Sequence, residues 1–143
     1  MVTQQLQTSP KVERQRRGVE DGEGSIVVRP GAVAKVAGMT VREMEGVSLG
    51  AMRGFMTSIT GAGTGVGSEI RRAVRAGVTL EAQAVVDIAI VVEYGRSIPD
   101  AVAELRRHIR DNVLKSTGLE TRRINVEVTD VSLPADNPQP TDR

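Results

Sequence analysis

The sequence of 143 residues contains no cysteine, a single histidine (His108) and only two aromatic side chains (Phe55 and Tyr94). Without cysteine the chain can form no disulfide, thiolate zinc site, iron–sulfur cluster or cysteine nucleophile. A single imidazole excludes a multi-histidine metal site, and two aromatic rings are too few for a platform on which single-stranded nucleic acid stacks. We therefore expect no metal site and no cofactor, and the composition excludes much of enzyme chemistry.

A large charge imbalance and a long hydrophobic run are also missing. The chain has 19 basic and 18 acidic side chains, and its longest apolar run, around 84–92, is interrupted by Asp87. That run is far shorter than the ~20 apolar residues that a membrane-spanning helix requires. The first 24 residues contain no apolar core of a secretory signal. We expect a cytoplasmic protein, which a partner could still hold at the inner face of a membrane.

The ends of the chain differ in composition from its middle. Residues 1–23 are polar, charged and rich in turn formers, and residues 134–143 contain three of the six prolines. Neither segment has enough apolar side chains to offset the entropy cost of ordering. We predict two flexible tails, 1–23 and 134–143, around a single domain of residues 24–133.

Within this domain the hydrophobic pattern alternates between strand and helix periods. It predicts strands at 25–29, 77–82, 84–94 and 122–133, an irregular strand within 47–60, and helices from 32 to Gly46 and over 101–115. In the longest strand, one face is predicted to carry Val86, Ile88, Ile90, Val92 and Tyr94. The economical packing is an α+β two-layer sandwich, in which two amphipathic helices cover one face of a small, mainly antiparallel sheet.

Two glycine features require a physical reason. Gly38 falls inside the first predicted helix, where glycine costs about 1 kcal/mol relative to alanine, so we expect close packing or a weak helix there. The glycine-rich stretch 61–67 lacks the lysine of a phosphate-binding loop and is soon followed by predicted strand. We interpret it as a flexible insertion between strands. The less favoured alternative is a small enzyme that binds a phosphate ligand at this stretch.

A cluster of arginines follows the glycine-rich stretch. Arg71, Arg72 and Arg75 could contact nucleic acid, and a nucleic-acid-binding regulator is therefore the alternative function. The predicted domain contains 12 Arg and 2 Lys against 4 Asp and 8 Glu, a net charge of only +2. Charges of both signs that are dispersed in this way are typical of a solvated surface. We therefore expect no nucleic-acid partner.

Asp87 is unusual because it interrupts an apolar strand, and a buried carboxylate is costly unless it is paired. One interpretation is that Asp87 marks an open face of the sheet, with an arginine across from it. His108 is interpreted as a half-buried structural residue, since no nucleophile or carboxylate constellation accompanies it. The candidate interaction surface therefore consists of Asp87, Val91, Glu93, Arg71, Arg72 and Arg75, with no catalytic residue.

Three landmarks occur in a recognisable order along the chain. They are Gly24-Ser25-Ile26-Val27-Val28 before a helix with Val36-Ala37-Gly38 and Gly46-Val47, then Val91-Val92-Glu93-Tyr94-Gly95, then Ser116-Thr117-Gly118-Leu119 leading to Ile124-Asn125-Val126-Glu127-Val128. This order resembles the bacterial alkaline shock protein family, also called the general stress or envelope stress response family. The resemblance extends over residues 24–133, although the region 48–76 is longer than is typical of the family.

The resemblance implies a small, non-enzymatic, cytoplasmic protein that is linked to cell-envelope stress. Members of the family self-assemble and are held at the inner face of the membrane by a separate membrane-anchored partner. The family has no established catalytic residues, so none is carried over. We therefore expect an interaction or scaffold protein, with protein partners that include itself. The predicted strands 84–94 and 122–133 offer a second, partly apolar face or an edge, and this is the expected site of self-association.

Overall fold

The structure, a computed structural model, describes residues 18–20, 23–52 and 65–134. In chain order the elements are β1 (Gly18–Glu20), β2 (Ser25–Val27), α1 (Pro30–Arg42), β3 (Val47–Leu49), α2 (Val66–Ala73), β4 (Val74–Val78), β5 (Gln83–Glu93), α3 (Ile98–Thr117) and β6 (Glu120–Ser132). The tail 135–143, the glycines at 61 and 63, and positions 53–60 of the irregular strand lie outside the described residues.

Strand β5 is the centre of the main sheet. Along one edge it pairs antiparallel with β4 over Ala84–Ile88 and with β3 over Ile90–Val92, so these two short strands lie end to end. Along the other edge β6 runs parallel to β5 over its whole length, with two register shifts. Two of the three pairings that β5 makes are antiparallel, which confirms the expected mainly antiparallel sheet.

The hydrophobic core lies between one face of this sheet and the helices. The side chains of β5 that point to this core are Val86, Ile88, Ile90 and Val92, each no more than 1 % exposed. Helix α1 contributes Val33, Ala37 and Val41, and helix α3 contributes Ala101, Leu105, Ile109 and Val113. Their spacing of four residues places each set on one side of its helix. The α+β two-layer architecture is therefore confirmed.

A third, short helix was not predicted. Helix α2 occupies the region of the arginine cluster and packs against α1, with Ile70 and Ala73 buried. The interpretation of the glycine-rich stretch as an insertion between strands is therefore wrong at its end, because Val66 and Gly67 begin this helix. Eight residues with two apolar anchors are too short to show a helical period, which is why the sequence pattern did not indicate it.

The strand that follows α2 begins and ends earlier than predicted. β4 covers Val74–Val78, whereas residues 79–82 form a turn in which the Ala82 N–H donates to the Thr79 carbonyl. The expectation of a strand over 77–82 is wrong at its C-terminal end. Ala82 takes a left-handed backbone conformation, with φ 61°, which ends the ladder before β5 begins.

Two further expectations are corrected by the strand boundaries. Tyr94 is 66 % exposed and does not share the buried face of Val92, because β5 ends at Glu93 and the chain turns. Residues 18–20, which the sequence assigned to a flexible tail, form β1 and pair antiparallel with β2. The two strands pair through backbone groups, and these hydrogen bonds leave no mark in the pattern of apolar side chains from which the tail was predicted.

Both ends of α3 are capped. The Ser97 hydroxyl accepts a hydrogen bond from the Asp100 N–H at 3.4 Å, and Pro99 lies in the first turn. At the other end Gly118 adopts φ 80°, the left-handed conformation in which helices commonly end. Among the described residues, none of the helices is both long enough and apolar enough to cross a membrane.

Candidate interaction surfaces

The face of the sheet opposite the helices is built around Asp87. This carboxylate accepts a hydrogen bond from the Asn125 side-chain amide at 2.8 Å, and Arg75 lies directly across from it on β4. The interpretation that Asp87 marks an open face with an arginine opposite is therefore supported by the geometry. Residues paired in this way have Cβ atoms about 5 Å apart, so the three polar groups form one row across the sheet.

Around this row the open face is partly apolar. Val85 and Val91 flank Asp87 along β5 and are both half-buried, while Ala89 is fully buried between neighbouring strands. Beyond Val91 the face becomes acidic, since Asp130 lies opposite Val91 in β6 and β5 ends at Glu93. The predicted residues Asp87, Val91 and Glu93 thus lie on the same face of one strand.

The outer edge of β6 has no partner strand among the described residues. This edge strand has 13 residues and carries charged side chains along most of its length: Glu120, Arg122, Arg123, Glu127 and Asp130. Charges on an exposed edge disfavour unselective pairing with other chains. The edge of β6 is therefore a less suitable site of association than the open face beside it.

The three predicted arginines do not form one patch. Arg72 lines a cleft of about 550 Å³ that is bordered by Ser48 and Gly50 after β3. In the same cleft Arg42 forms an ion pair with Glu69, with 2.7 Å between Nη1 and Oε1. Positive and negative side chains are thus mixed in this cleft, which does not favour the alternative of a nucleic-acid-binding surface at residues 71–75.

Arg71 and Arg75 line a different groove, of about 510 Å³. We call it the Lys35 groove, and its described lining consists of Pro30, Gly31, Ala34, Lys35, Gly67, Ile70, Arg71, Val74, Arg75 and Ala76. These residues come from the first turns of α1, from α2 and from β4. Apolar side chains form most of the lining, and the three charged residues are all cations.

Sequence reasoning did not identify Lys35 or the groove that it lines. Lys35 is separated by 30 residues or more from Arg71 and Arg75 in the sequence, and no local pattern connects them. The groove forms only because α2 packs against α1 beside β4. The one sequence signal that pointed to this contact is Gly38, whose expected close packing is confirmed by its contact with Ile70.

His108 lies away from these surfaces, on α3. Its Nε2 atom is 3.6 Å from the Glu104 carboxylate one turn earlier, and the imidazole side chain is 46 % exposed. His108 and Glu104 form this contact within one helix, where water can reach it. The His108 side chain is more exposed than the half-buried position that we expected. No cluster of three or more His, Cys, Asp or Glu side chains suited to a metal ion occurs in the part of the chain that the structure describes.

Comparison with known proteins adds one positive finding. The family model of alkaline shock protein 23, described as having a cell envelope-related function, matches residues 18–133. The match includes every strand and helix named above. No solved structure matches the chain.

Proposed function

Because the chain belongs to the alkaline shock protein 23 family, which has a cell envelope-related function, we propose that it is a scaffold protein of envelope homeostasis. In this proposal it catalyses no reaction. It associates with further copies of itself, and a membrane-anchored protein partner recruits it to the inner face of the membrane. The single observation that carries the proposal is the open face of the sheet around Asp87.

The open face supports self-association for a physical reason. Val85 and Val91 remain half-buried on a face that no helix covers in the described part of the chain. Burial of apolar area on association contributes about 25 cal/mol for each Å². The Asp87–Asn125 hydrogen bond satisfies one carboxylate oxygen before association. The desolvation cost of bringing this face against a second copy is thereby reduced.

Sedimentation velocity of the full chain at several concentrations tests self-association. We expect the sedimentation coefficient of the original protein to rise with concentration. Val91→Lys should suppress this rise, because the lysine places a charge in the apolar part of the open face. Asp87→Ala should also shift the assembly, since it removes the acceptor of Asn125. Leu114→Lys is the matched control, because Leu114 is already 49 % exposed on α3.

A strict monomer at every concentration would contradict self-association. So would an equal loss of assembly in Leu114→Lys and Val91→Lys, because the effect would then not depend on the open face. Circular dichroism of each variant separates loss of assembly from loss of the fold.

Recruitment by a partner is tested separately, by pull-down from membrane extracts with the full chain as bait. We expect a membrane-spanning protein to be enriched reproducibly over a bait-free control. If the partner and the second copy bind different surfaces, the Val91→Lys variant used as bait should still enrich this membrane protein. Absence of any enriched membrane protein would contradict the recruitment part of the proposal.

A further inference from the structure

The open face of the sheet has opposite charges at its two ends. Residues that are paired on neighbouring strands point to the same face. Arg123 of β6 is paired with Val85, and Asp130 of β6 is paired with Val91. Val85 and Val91 are six residues apart on β5, which corresponds to about 20 Å of strand. The open face therefore has a cationic end at Arg123 and an acidic end at Asp130, with a half-buried valine at each end.

The charges of Arg123 and Asp130 are not balanced within one copy. Both residues are exposed, and neither takes part in an ion pair among the described residues. One oxygen of Asp130 accepts the N–H of the next residue, Val131, at 2.8 Å. The two charges are about 20 Å apart, more than the Debye length of about 8 Å at physiological salt, so they do not neutralise each other. A partner that fits this face brings a negative charge to one end and a positive charge to the other.

A second copy of the chain supplies both complementary charges in one orientation. Two identical faces meet when one copy is rotated by half a turn about an axis that lies between them. If this axis crosses β5 at right angles, midway between Val85 and Val91, the two β5 strands are antiparallel and each β6 lies over the other. Arg123 of each copy then faces Asp130 of the other. Sheets pack about 10 Å apart, a gap that an arginine and an aspartate side chain span together.

The middle of the face is also complementary in this orientation. Val85 of one copy faces Val91 of the other, which buries apolar area at two equivalent places. Asp87 faces the small side chain of Ala89, while its carboxylate keeps the hydrogen bond from Asn125. The sheet is three strands wide, and over the 11 residues of β5 its face covers about 500 Å² in each copy. This area is near the lower limit of specific interfaces, so we expect a weak dimer that dissociates on dilution.

The other closed orientation is disfavoured by charge. If the axis runs along β5, the two β5 strands are parallel, and Asp87 of one copy faces Asp87 of the other. Arg123 then faces Gly77. Asp130 faces Ser48, because β3 and β4 occupy the side of β5 opposite to β6. Neither end meets an opposite charge, and two carboxylates are brought together where their desolvation is costly. Charge complementarity therefore favours the antiparallel orientation.

We propose that two copies of the chain associate through their open faces, with the β5 strands antiparallel and Arg123 of each copy paired with Asp130 of the other. An interface of this symmetry is closed, because both copies contribute the same face, so assembly through it stops at a dimer. This inference rests on the proposed function, since it assumes self-association through the open face. It adds the orientation, the paired residues and the number of copies.

The test is a charge swap followed by sedimentation velocity of the full chain. Arg123→Asp and Asp130→Arg each place like charges opposite one another at both pairs. Each variant alone should raise the Kd of the dimer by about tenfold or more, equivalent to about 1.4 kcal/mol. An equimolar mixture of the two variants should recover the dimer, because opposite charges then meet at both pairs. The double variant should recover it as well.

The matched controls are Arg107→Asp and Asp111→Arg. They make the same changes of charge at exposed positions of α3, which lies on the other side of the sheet. Neither variant should change the Kd by more than about twofold. Circular dichroism of all four single variants checks that the fold persists. Higher salt should weaken the dimer of the original protein, because the charged pairs lie at the rim of the interface.

Cross-linking tests the orientation independently. The chain contains no cysteine, so a single introduced thiol reacts at a known position. A short bis-maleimide reagent should cross-link a mixture of Val85→Cys and Val91→Cys and should cross-link neither variant alone. Efficient cross-linking of Val85→Cys to itself would overturn the antiparallel orientation, because these two positions then meet only when the β5 strands are parallel.

Four other results would overturn the proposal. They are a mixture of Arg123→Asp and Asp130→Arg that stays as monomeric as each variant alone, an unchanged Kd in both variants, an equal loss in the α3 controls, and growth of the original protein beyond a dimer that Val91→Lys abolishes. In each case the original protein still associates, so the proposed function stands while the inference fails. A strict monomer contradicts the proposed function itself. If such a monomer still enriches a membrane protein and Arg123→Asp abolishes this, the open face binds that partner instead of a second copy.

Discussion

Gly38 of α1 lies against Ile70 of α2 so closely that no side chain fits between the two helices. A Cβ atom added at Gly38 would lie 2.5 Å from Cγ1 of Ile70 and within 3 Å of two further carbon atoms of the same side chain. Ile70 is only 3 % exposed and is itself enclosed by the core. The glycine therefore allows α2 to pack against α1, and this contact places Arg71 beside Lys35.

We predict that Gly38→Ala destabilises the protein, although alanine is the better helix former. The overlap with a buried side chain should cost about 1–3 kcal/mol of the free energy of unfolding, which exceeds the gain of up to ~1 kcal/mol in helix propensity. Urea unfolding followed by circular dichroism measures the change.

The control for Gly38→Ala is Gly31→Ala in the same helix. A Cβ atom at Gly31 meets nothing within 4 Å, so this variant should be neutral or slightly more stable than the original protein. Equal stability of the two alanine variants would show that the contact with Ile70 does not limit the packing of α2.

Helix α3 offers a matched pair of leucines for testing the core. Leu105 is fully buried against the sheet, whereas Leu114 is 49 % exposed. We predict that Leu105→Ala lowers the free energy of unfolding by about 2–5 kcal/mol, because it removes buried apolar area and leaves a cavity. Leu114→Ala should change it by less than about 1 kcal/mol. Chemical unfolding of both variants checks the prediction, and similar losses would contradict the assignment of the buried face.

The two long helices are connected by a hydrogen bond between side chains. Asn112 of α3 donates to the Thr40 hydroxyl at 2.9 Å, and this hydroxyl donates to the Val36 carbonyl at 2.8 Å. Thr40 is 2 % exposed, so Thr40→Val leaves the Asn112 amide without this acceptor. We expect a loss of about 1–2 kcal/mol in the free energy of unfolding.

A double-mutant cycle with Asn112→Ala isolates this hydrogen bond. If the Thr40 hydroxyl acts through Asn112, the two losses should be less than additive by about 0.5–1 kcal/mol. Strict additivity in urea unfolding would mean that the contact between the side chains contributes nothing to stability.

Gly118 ends α3 in the left-handed conformation, with φ 80°, and its N–H donates to the Leu114 carbonyl. We predict that Gly118→Ala costs about 1–2 kcal/mol, since a Cβ atom is disfavoured at positive φ. Thermal unfolding should show a lower Tm for this variant. Gly118→Asn, which tolerates the left-handed region better, should recover part of the loss, and a Tm unchanged by alanine would contradict the prediction.

Sequence reasoning predicted best where a long segment has one clear period. The buried face of β5 from Val86 to Val92 follows from strict alternation, and the burial of Leu105, Ile109 and Val113 on α3 follows from their spacing of four residues. Such patterns are local consequences of backbone geometry, so they need no knowledge of the rest of the chain. For the same reason Tyr94 was placed wrongly, because the alternation continues beyond the residue at which β5 ends.

Short elements could not be predicted in this way. α2 has eight residues and β4 has five, and each is held mainly by contacts with α1 and β5 rather than by its own pattern. For Asp87 the sequence indicated an open face but not its partner Asn125, which lies 38 residues later and depends on the register of β6.

The sequence by itself determined the class of fold, the two long helices, the central strand and the resemblance to an envelope-related family. These depend on periodicity and on motifs that can be read along the chain. Only the tertiary structure decided that Arg72 lies apart from Arg71, and that Lys35 joins Arg71 and Arg75 at one groove. The physical reason is that side chains distant in sequence meet only through the packing of their elements, here through the close contact of α1 and α2 at Gly38.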